Sequence, residues 1–397
     1  KSITGSGSTA VGQLEYADAG GGVSSDASRN TVGGTDSGSS LTSGSGNTLY
    51  GYKAGEDVTS GFNNTFLGDR VAPSLTDGHT NTVIGAEAGS ALTSGDYNDL
   101  FGGYAGMQIT TGNYNTCIGS QAGKAITTGS NVVAIGYKAA QSTTTGQYSV
   151  FIGHQAGQGS TTEEYNCIIG HDAASNATIT GGNNTIIGSG AGKKLTSGGY
   201  NCIMGNNTAY EITTGSSNTS IGTFSGYSLT TGGNNTFIGY AAGYFGSPSG
   251  IVTTGSNIIC LGDGNVTDLY CQDTSISSSD ARDKTDITSF NIGLAWVEAL
   301  RPVTYRWDRR IWYGADDKSF GTPDGSKKRS RLHIGFLAQE ALEVEKANGY
   351  GTSNEDSLVV HLNEDETAYG MKYERLVPIL VNAIKELSTR VKTLEAG

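Results

Sequence analysis

The sequence predicts a mainly β chain. Its larger part is a β-helix or solenoid-like shaft of short strands in a 17-residue repeat, intertwined as a homotrimer. A small α+β domain ending in a long helix follows. Three observations predict this. Glycine is over-represented and unevenly placed, with 52 of 61 glycines in residues 1–279 and 9 in residues 280–397. One glycine recurs in fixed register through the first part. Charge density rises where the glycines thin out.

Composition sets the bounds. The 397 residues include only 5 Pro, and 36% are apolar and 16% charged, against about half and a quarter in ordinary domains. So little Pro and no glycine triplet exclude collagen. A chain with 20 Tyr and 10 Phe is unlike one that buries nothing. No apolar run reaches about 18 residues, so no membrane insertion is expected. Lys1 opens without a signal peptide, as in a fragment of something longer. The net charge of −12 is unevenly spread: residues 1–279 hold 8 Lys+Arg and 18 Asp+Glu, residues 280–397 hold 17 and 19. A boundary near Ser279 follows, and all three Trp lie beyond it. The first part has no basic stripe, so no nucleic-acid partner is expected.

The shaft spans residues 30–265, after a lead-in of residues 1–29. Its anchor glycine stands at Gly34, Gly51, Gly68, Gly85 and onward to Gly239 and Gly262; of the thirteen steps between anchors eleven equal 17, one 18 and the last 23. The motif reads N-T-x-I-G-x-x-A-G-x-x-L-T-T-G, as at Asn81–Gly85 and Asn235–Gly239. Helices are excluded, because two or three glycines per repeat each cost about 1 kcal/mol relative to Ala. Each unit is instead a short strand before the anchor, a glycine corner, a second extended piece around L-T-T and another corner. Asn47, Asn64, Asn115, Asn166, Asn184, Asn201 and Asn218, four residues before their anchors, should form a ladder from rung to rung. The two residues before the anchor are both apolar in most repeats, as in Phe66–Leu67, Val83–Ile84 and Phe237–Ile238. Neighbouring side chains on a strand face opposite ways, so both faces want burial. A thin solenoid needs only one, and the second implies association into a homotrimer. The 23-residue interval holds Gly246-Ser247-Pro248-Ser249-Gly250, a turn that should bulge from the rod.

Residues 266–279 form a junction, and residues 280–397 read as a conventional domain. Leu294–Leu300 suits a short helix ended by Pro302, Val303–Trp307 a strand, residues 314–331 a polar loop, and His333–Val344 an apolar start that turns helical. Val377, Leu380, Ile384, Leu387, Val391 and Leu394 are spaced 3, 4, 3, 4, 3, a heptad seam. Such a seam fits either association, with a pattern that by itself favours a parallel dimer, or a terminal helix packed on its own domain.

Other chemistry finds little support. Cys117, Cys167, Cys202, Cys260 and Cys271 are scattered small side chains rather than a disulfide framework. The five His have no metal spacing along the chain; His154 and His171 are 17 apart because they share a repeat position. No cofactor and no metal are expected. Leu261–Asn265 resembles a calcium turn without the remaining ligands.

Four blocks in order carry a resemblance. They are Ser279-Asp280-Ala281-Arg282-Asp283-Lys284 with Ile287, Leu300–Tyr305, His333–Glu340, and Tyr373–Pro378 with its helix. Together they resemble the intramolecular chaperone auto-processing domain of phage tail fibres and tailspikes, the self-cleaving type found on endosialidases. The glycine repeats resemble phage fibre shafts. The resemblance implies a domain that brings three chains into register and then cuts itself off. It implies Ser279 as nucleophile and Lys284 as base, with Asp280 and Arg282 as motif support and the scissile bond at Ser278–Ser279. Asp283 departs from the apolar residue frequent at that place. The implied partners are two further copies, a host cell-surface receptor and other tail proteins. The implied location is the virion tail fibre, after synthesis in the host cytoplasm, with no multiple-turnover activity.

Two other functions compete. A polysaccharide-degrading tailspike would need paired carboxylates, for which Asp96 and Asp99 are the candidates, yet acids recur at no fixed repeat position. A cellular β-solenoid adhesin would lack self-cleavage. Exposed Tyr at rung edges, such as Tyr97, Tyr114 and Tyr200, suit either an aromatic ladder or stacking on sugars.

Overall fold

Among the described residues, fourteen three-residue strands, from β1 (Thr31–Gly33) to β14 (Ile259–Leu261), form one parallel sheet in strict chain order. The structure is a computed structural model that describes residues 29–175, 178–266, 281–314, 320–362 and 369–396. Each strand pairs with that of the next repeat in register, Phe66 against Val83 and Val83 against Leu100. One repeat is therefore one turn of a solenoid. Each of these ladder partners lies one repeat away in the same chain.

The rung follows from its residues. The middle side chain of each strand points inward, and Leu49, Phe66, Leu100, Phe151, Ile168 and Phe237 are fully buried. The residue after it points outward, leaving Leu67 47% and Ile238 43% exposed. The second apolar face is thus an open stripe along the sheet. The anchor glycine closes the strand with a positive φ, +129° at Gly85, where a Cβ would lie 2.6 Å from the carbonyl carbon of Gly102. Only glycine fits a corner that is both left-handed and stacked on its neighbour's backbone.

The L-T-T piece differs from expectation. It donates rung to rung, as from Thr42 N to the Thr59 carbonyl at 3.0 Å, but makes no strand; one isolated bridge, Ser160 with Ile179, is all the regular pairing it has among the described residues. The N–H groups of Thr42, Ser43 and of Gly44, the next residue, all converge on the Thr59 carbonyl, so the chain bends within the pair instead of running on as an extended stretch. The Asn ladder is as expected. Asn47 Oδ1 accepts both the backbone N–H of Asn64 (3.0 Å) and its side-chain amide (3.1 Å), and that amide also reaches the Gly78 carbonyl at 2.9 Å. The column is buried, so every polar atom must find a partner there.

The rungs fall within one compact unit, Lys1–Gly243 with Thr253–Leu261; Tyr244–Val252 groups with Gly262–Gly397 in the second. The turn in the 23-residue interval is thus a part of the C-terminal unit. That unit contains α1 (Leu294–Ala299), an antiparallel pair β15 (Val303–Tyr305) and β16 (His333–Gly335), α2 (Ala338–Ala347), a second antiparallel pair β17 (Val360–Leu362) and β18 (Tyr369–Met371), and α3 (Leu376–Ala396). Its small core gathers Trp296, Val359, Leu376 and Ile379, flanked by Phe290, Val297, Phe336 and Met371. The helix α3 contributes Leu376, Ile379 and Ala383 to burial. Its heptad seam is a different face: Ile384 is 65% and Leu387 46% exposed. The seam is therefore not how the helix packs on its own domain.

Candidate functional site

The C-terminal unit brings three of the four sequence blocks together. The strand of the second block, Val303–Tyr305, pairs with the strand of the third, His333–Gly335. Arg301 grips Glu340 in a two-pronged pair, Nη2 to Oε1 at 2.5 Å and Nε to Oε2 at 3.1 Å. The hydrogen bonds from Arg301 hold the Glu340 carboxyl below its usual range, though both side chains are exposed and such pairs stabilise little. The fourth block joins through Tyr373, whose hydroxyl accepts the N–H of Phe336 at 3.2 Å.

The first block is described only from Ala281 onward. Ser278, Ser279 and Asp280 fall outside the described residues. Arg282 and Lys284 are exposed, on and just after a short 3-10 turn at Ala281–Asp283. The pairing of Ser279 with Lys284 is thus an expectation from the sequence.

Sequence reading missed a second feature of this unit, its hold on the segment that follows β14. The Arg309 guanidinium donates to the Gly264 carbonyl, and the Trp312 indole N–H donates to Asn265 Oδ1 at 3.1 Å. Arg309 also lies 4.4 Å above the Trp307 ring, and its burial lowers the guanidinium pKa. The turn at residues 246–250 lines the same cavity of about 450 Å³ as Trp307, Arg309 and Ile311, and Phe245 packs on Phe320 with ring centres 4.9 Å apart. The signal in the sequence was the insertion itself, a break in a repeat that otherwise varies by one residue.

A third feature is Glu345, fully buried at the end of α2. Its carboxylate accepts N–H groups from Leu358, Val359 and Val360 at 2.7 to 3.0 Å and the Ser357 hydroxyl at 3.1 Å. It organises the loop that delivers Val359 to the core.

The residues named for other chemistry have structural uses. Asp96 Oδ1 accepts the His79 N–H at 2.8 Å, a corner duty that Asn113 performs for Asp96 itself one rung on. Asp99 opens a strand with its side chain exposed. Asp263 folds back on Asn265, accepting its backbone N–H at 2.9 Å and its side-chain amide at 2.8 Å. Cys117 faces inward, and burial pushes its thiol up to about 12, which makes it a packed side chain rather than a nucleophile. Cys271 lies outside the described residues. No described helix is long and apolar enough to cross a membrane.

Comparison with known proteins adds one finding. Residues 279–350 match the family model described as the chaperone of endosialidase. The match takes in the first three sequence blocks, including Ser279 and Lys284, and ends before Tyr373. Neither the curated proteins nor the solved structures give a match.

Proposed function

From a chain that joins a β-solenoid shaft to a chaperone-of-endosialidase domain, as tail fibres and tailspikes with such a domain do, we propose a trimeric phage tail fibre whose terminal domain aligns three chains and then releases itself. The observation that carries this reading is positional. The family match opens at Ser279, after the last rung has ended at Leu261, so a cut there would free the domain and leave every rung intact. The fibre would serve host adhesion on the virion.

Association is supported by two apolar surfaces that the single chain leaves open, the outward stripe of the sheet and the heptad seam of α3. Large contiguous apolar patches on soluble proteins mark interaction sites.

The release step follows from the residues. Ser279 Oγ adds to the carbonyl carbon of Ser278 while its proton passes to Lys284. The C–N bond then breaks, the amine of residue 279 takes that proton, and water hydrolyses the ester to restore the hydroxyl. A serine is a weak nucleophile without such a base, and a lysine serves only when its ammonium is desolvated. Lys284 is exposed in the single chain, so assembly would have to supply that burial, and cleavage would report correct folding.

Mass spectrometry of the expressed chain, native and denatured, tests the reading. The expected products are a trimeric shaft and a fragment of residues 279–397, with Ser279→Ala giving an uncut chain that still assembles. Normal processing of Lys284→Ala would remove the dyad, and a monomeric, uncut wild type would remove the whole proposal.

A further inference from the structure

We propose that His154, His171 and Asp172 form a binding site for a late first-row divalent transition-metal ion, with zinc as the reference occupant. Along the chain the two histidines are one repeat period apart, a spacing without meaning for a metal on a helix or a single strand. The solenoid turns that period into one rung. The imidazoles stack with ring centres 4.9 Å apart, and the Asp172 N–H donates to the His154 carbonyl at 2.9 Å. Asp172 sits in the left-handed region with φ +55°, and its carboxylate meets both rings. Oδ1 is 3.7 Å from His154 Nδ1 and Oδ2 is 3.8 Å from His171 Nδ1. One ligand atom from each of the three residues lies within 4.8 Å of the others.

The carboxylate supplies a second observation. Oδ2 is engaged by Lys193 Nζ at 3.1 Å, but Oδ1 is buried and has no hydrogen-bond partner. A buried acceptor without a donor is unfavourable, and a cation shared with two imidazoles would satisfy it.

Tetrahedral zinc, with bonds of about 2.0 to 2.1 Å, sets ligand atoms roughly 3.4 Å apart. The two carboxylate–imidazole separations are a few tenths of an ångström wider. Both rings must turn about their Cβ–Cγ bonds so that their lone pairs converge, and side-chain exposures of 45% at His154 and 62% at His171 leave room for it. Water completes the shell. Two imidazoles and one carboxylate suit zinc, copper or nickel, whereas calcium and magnesium prefer all-oxygen sites. The ion would displace Lys193, which pairs with Asp172. Bound there, the ion would tie two successive rungs together.

Titration calorimetry of zinc chloride into the metal-stripped full chain near neutral pH, with magnesium and calcium chloride alongside, tests the site. The expected result is one zinc event per chain, weakened roughly tenfold or more in His154→Asn and in His171→Asn and absent for the other two ions. Lys193→Met, which removes the competing cation and keeps the apolar stem, should tighten it. All cysteines stay in place in these variants, so zinc held by thiols would survive them. Both histidines are exposed, and their substitution should lower the zinc-free melting temperature by no more than the loss of one stacked ring pair. Persistence of the event in the His154→Asn, His171→Asn double variant, or no zinc binding by the wild type, overturns the proposal.

Discussion

Asn98 and Asn115 are joined twice across one rung: Asn98 Oδ1 accepts both the backbone N–H and the side-chain amide of Asn115, each at 3.1 Å. Its own amide reaches Asn81 Oδ1 at 3.1 Å and the Gly112 carbonyl at 2.9 Å. Both residues are fully buried. Asn98→Ala removes four contacts and strands donors on one side and acceptors on the other. At about 1 to 3 kcal/mol per buried unsatisfied group, the loss should be on the order of 3 kcal/mol or more, read as a lower midpoint in chemical denaturation. Where the chain itself breaks the column, at Val132, the preceding Asn115 Oδ1 still takes the Val132 N–H at 3.1 Å. Asn115→Ala should therefore cost less than Asn98→Ala.

Glu163 is out of place in its column. It stands where Gly146 precedes it and Gly181 follows, and it is buried. Burial pushes its carboxyl above the ordinary 4.5, only partly offset by hydrogen bonds such as the Thr161 N–H on Oε2 at 2.7 Å. An acid whose folded pKa is raised favours the protonated form in the fold. Its stabilising share is complete below the unfolded value and is lost as pH rises through the folded one. Glu163→Gln should thus melt above the wild type near neutral pH and level with it well below pH 4.5. A gain of equal size at both ends would show that desolvation of the charge is not the cause.

The corner five residues before each anchor adopts positive φ in rung after rung, with Asn at 63, 131, 183, 234 and 257 and Tyr at 97, 114, 148, 165 and 200. Asn adopts the left-handed region at lower cost than Tyr. Tyr148 and Tyr165 recover something by stacking, with centres 5.4 Å apart and planes 5° from parallel. Tyr200 is 70% exposed between Asn183 and Ser217. Tyr200→Asn should stabilise the shaft by about 1 kcal/mol, while Tyr165→Asn should gain less because it breaks a stacked pair. Paired thermal melts decide between these outcomes.

What the sequence made legible was what it repeats. A column such as Asn47–Asn64 or Phe66–Val83 is stated over and over, so its period, its buried strand centre and its open outer stripe can be read without coordinates. The L-T-T piece was misjudged as extended because its β-branched residues outweighed the glycine just beyond them. The contacts that do not repeat were invisible. The hold of Arg309 on Gly264 and the gathering of Leu358, Val359 and Val360 by Glu345 link residues with no shared pattern. Asp172 with His154 lay in between: the histidine spacing was visible, but its meaning depended on the rung being one turn.

The Glu345 carboxylate is the test of such a contact. It accepts three backbone N–H groups and one hydroxyl in the interior. Glu345→Gln keeps the shape but turns one acceptor into a donor facing donors. A loss of about 3 kcal/mol in the C-terminal unit is expected, with the shaft transition unmoved. Hydrogen exchange at residues 357–360 should rise in step; unchanged protection there would mean that the loop is held by its packing alone.

The two faces of α3 separate folding from assembly. Ile379 lies in the domain core with Trp296 and Val359, so Ile379→Ala should cost 2 to 5 kcal/mol, roughly the usual range for a buried aliphatic side chain. Ile384 and Leu387 touch water in the single chain, and Leu387→Glu should leave the monomer's stability within about 0.5 kcal/mol of the wild type. If the seam joins copies, the same change puts three charges into one interface and should shift the sedimentation profile from trimer toward monomer. In the self-releasing fibre proposed above, it should also slow the appearance of the 279–397 fragment, since burial of Lys284 would depend on assembly. A Leu387→Glu chain that still sediments as a trimer and is cut at the wild-type rate would assign the seam no part in bringing the chains together.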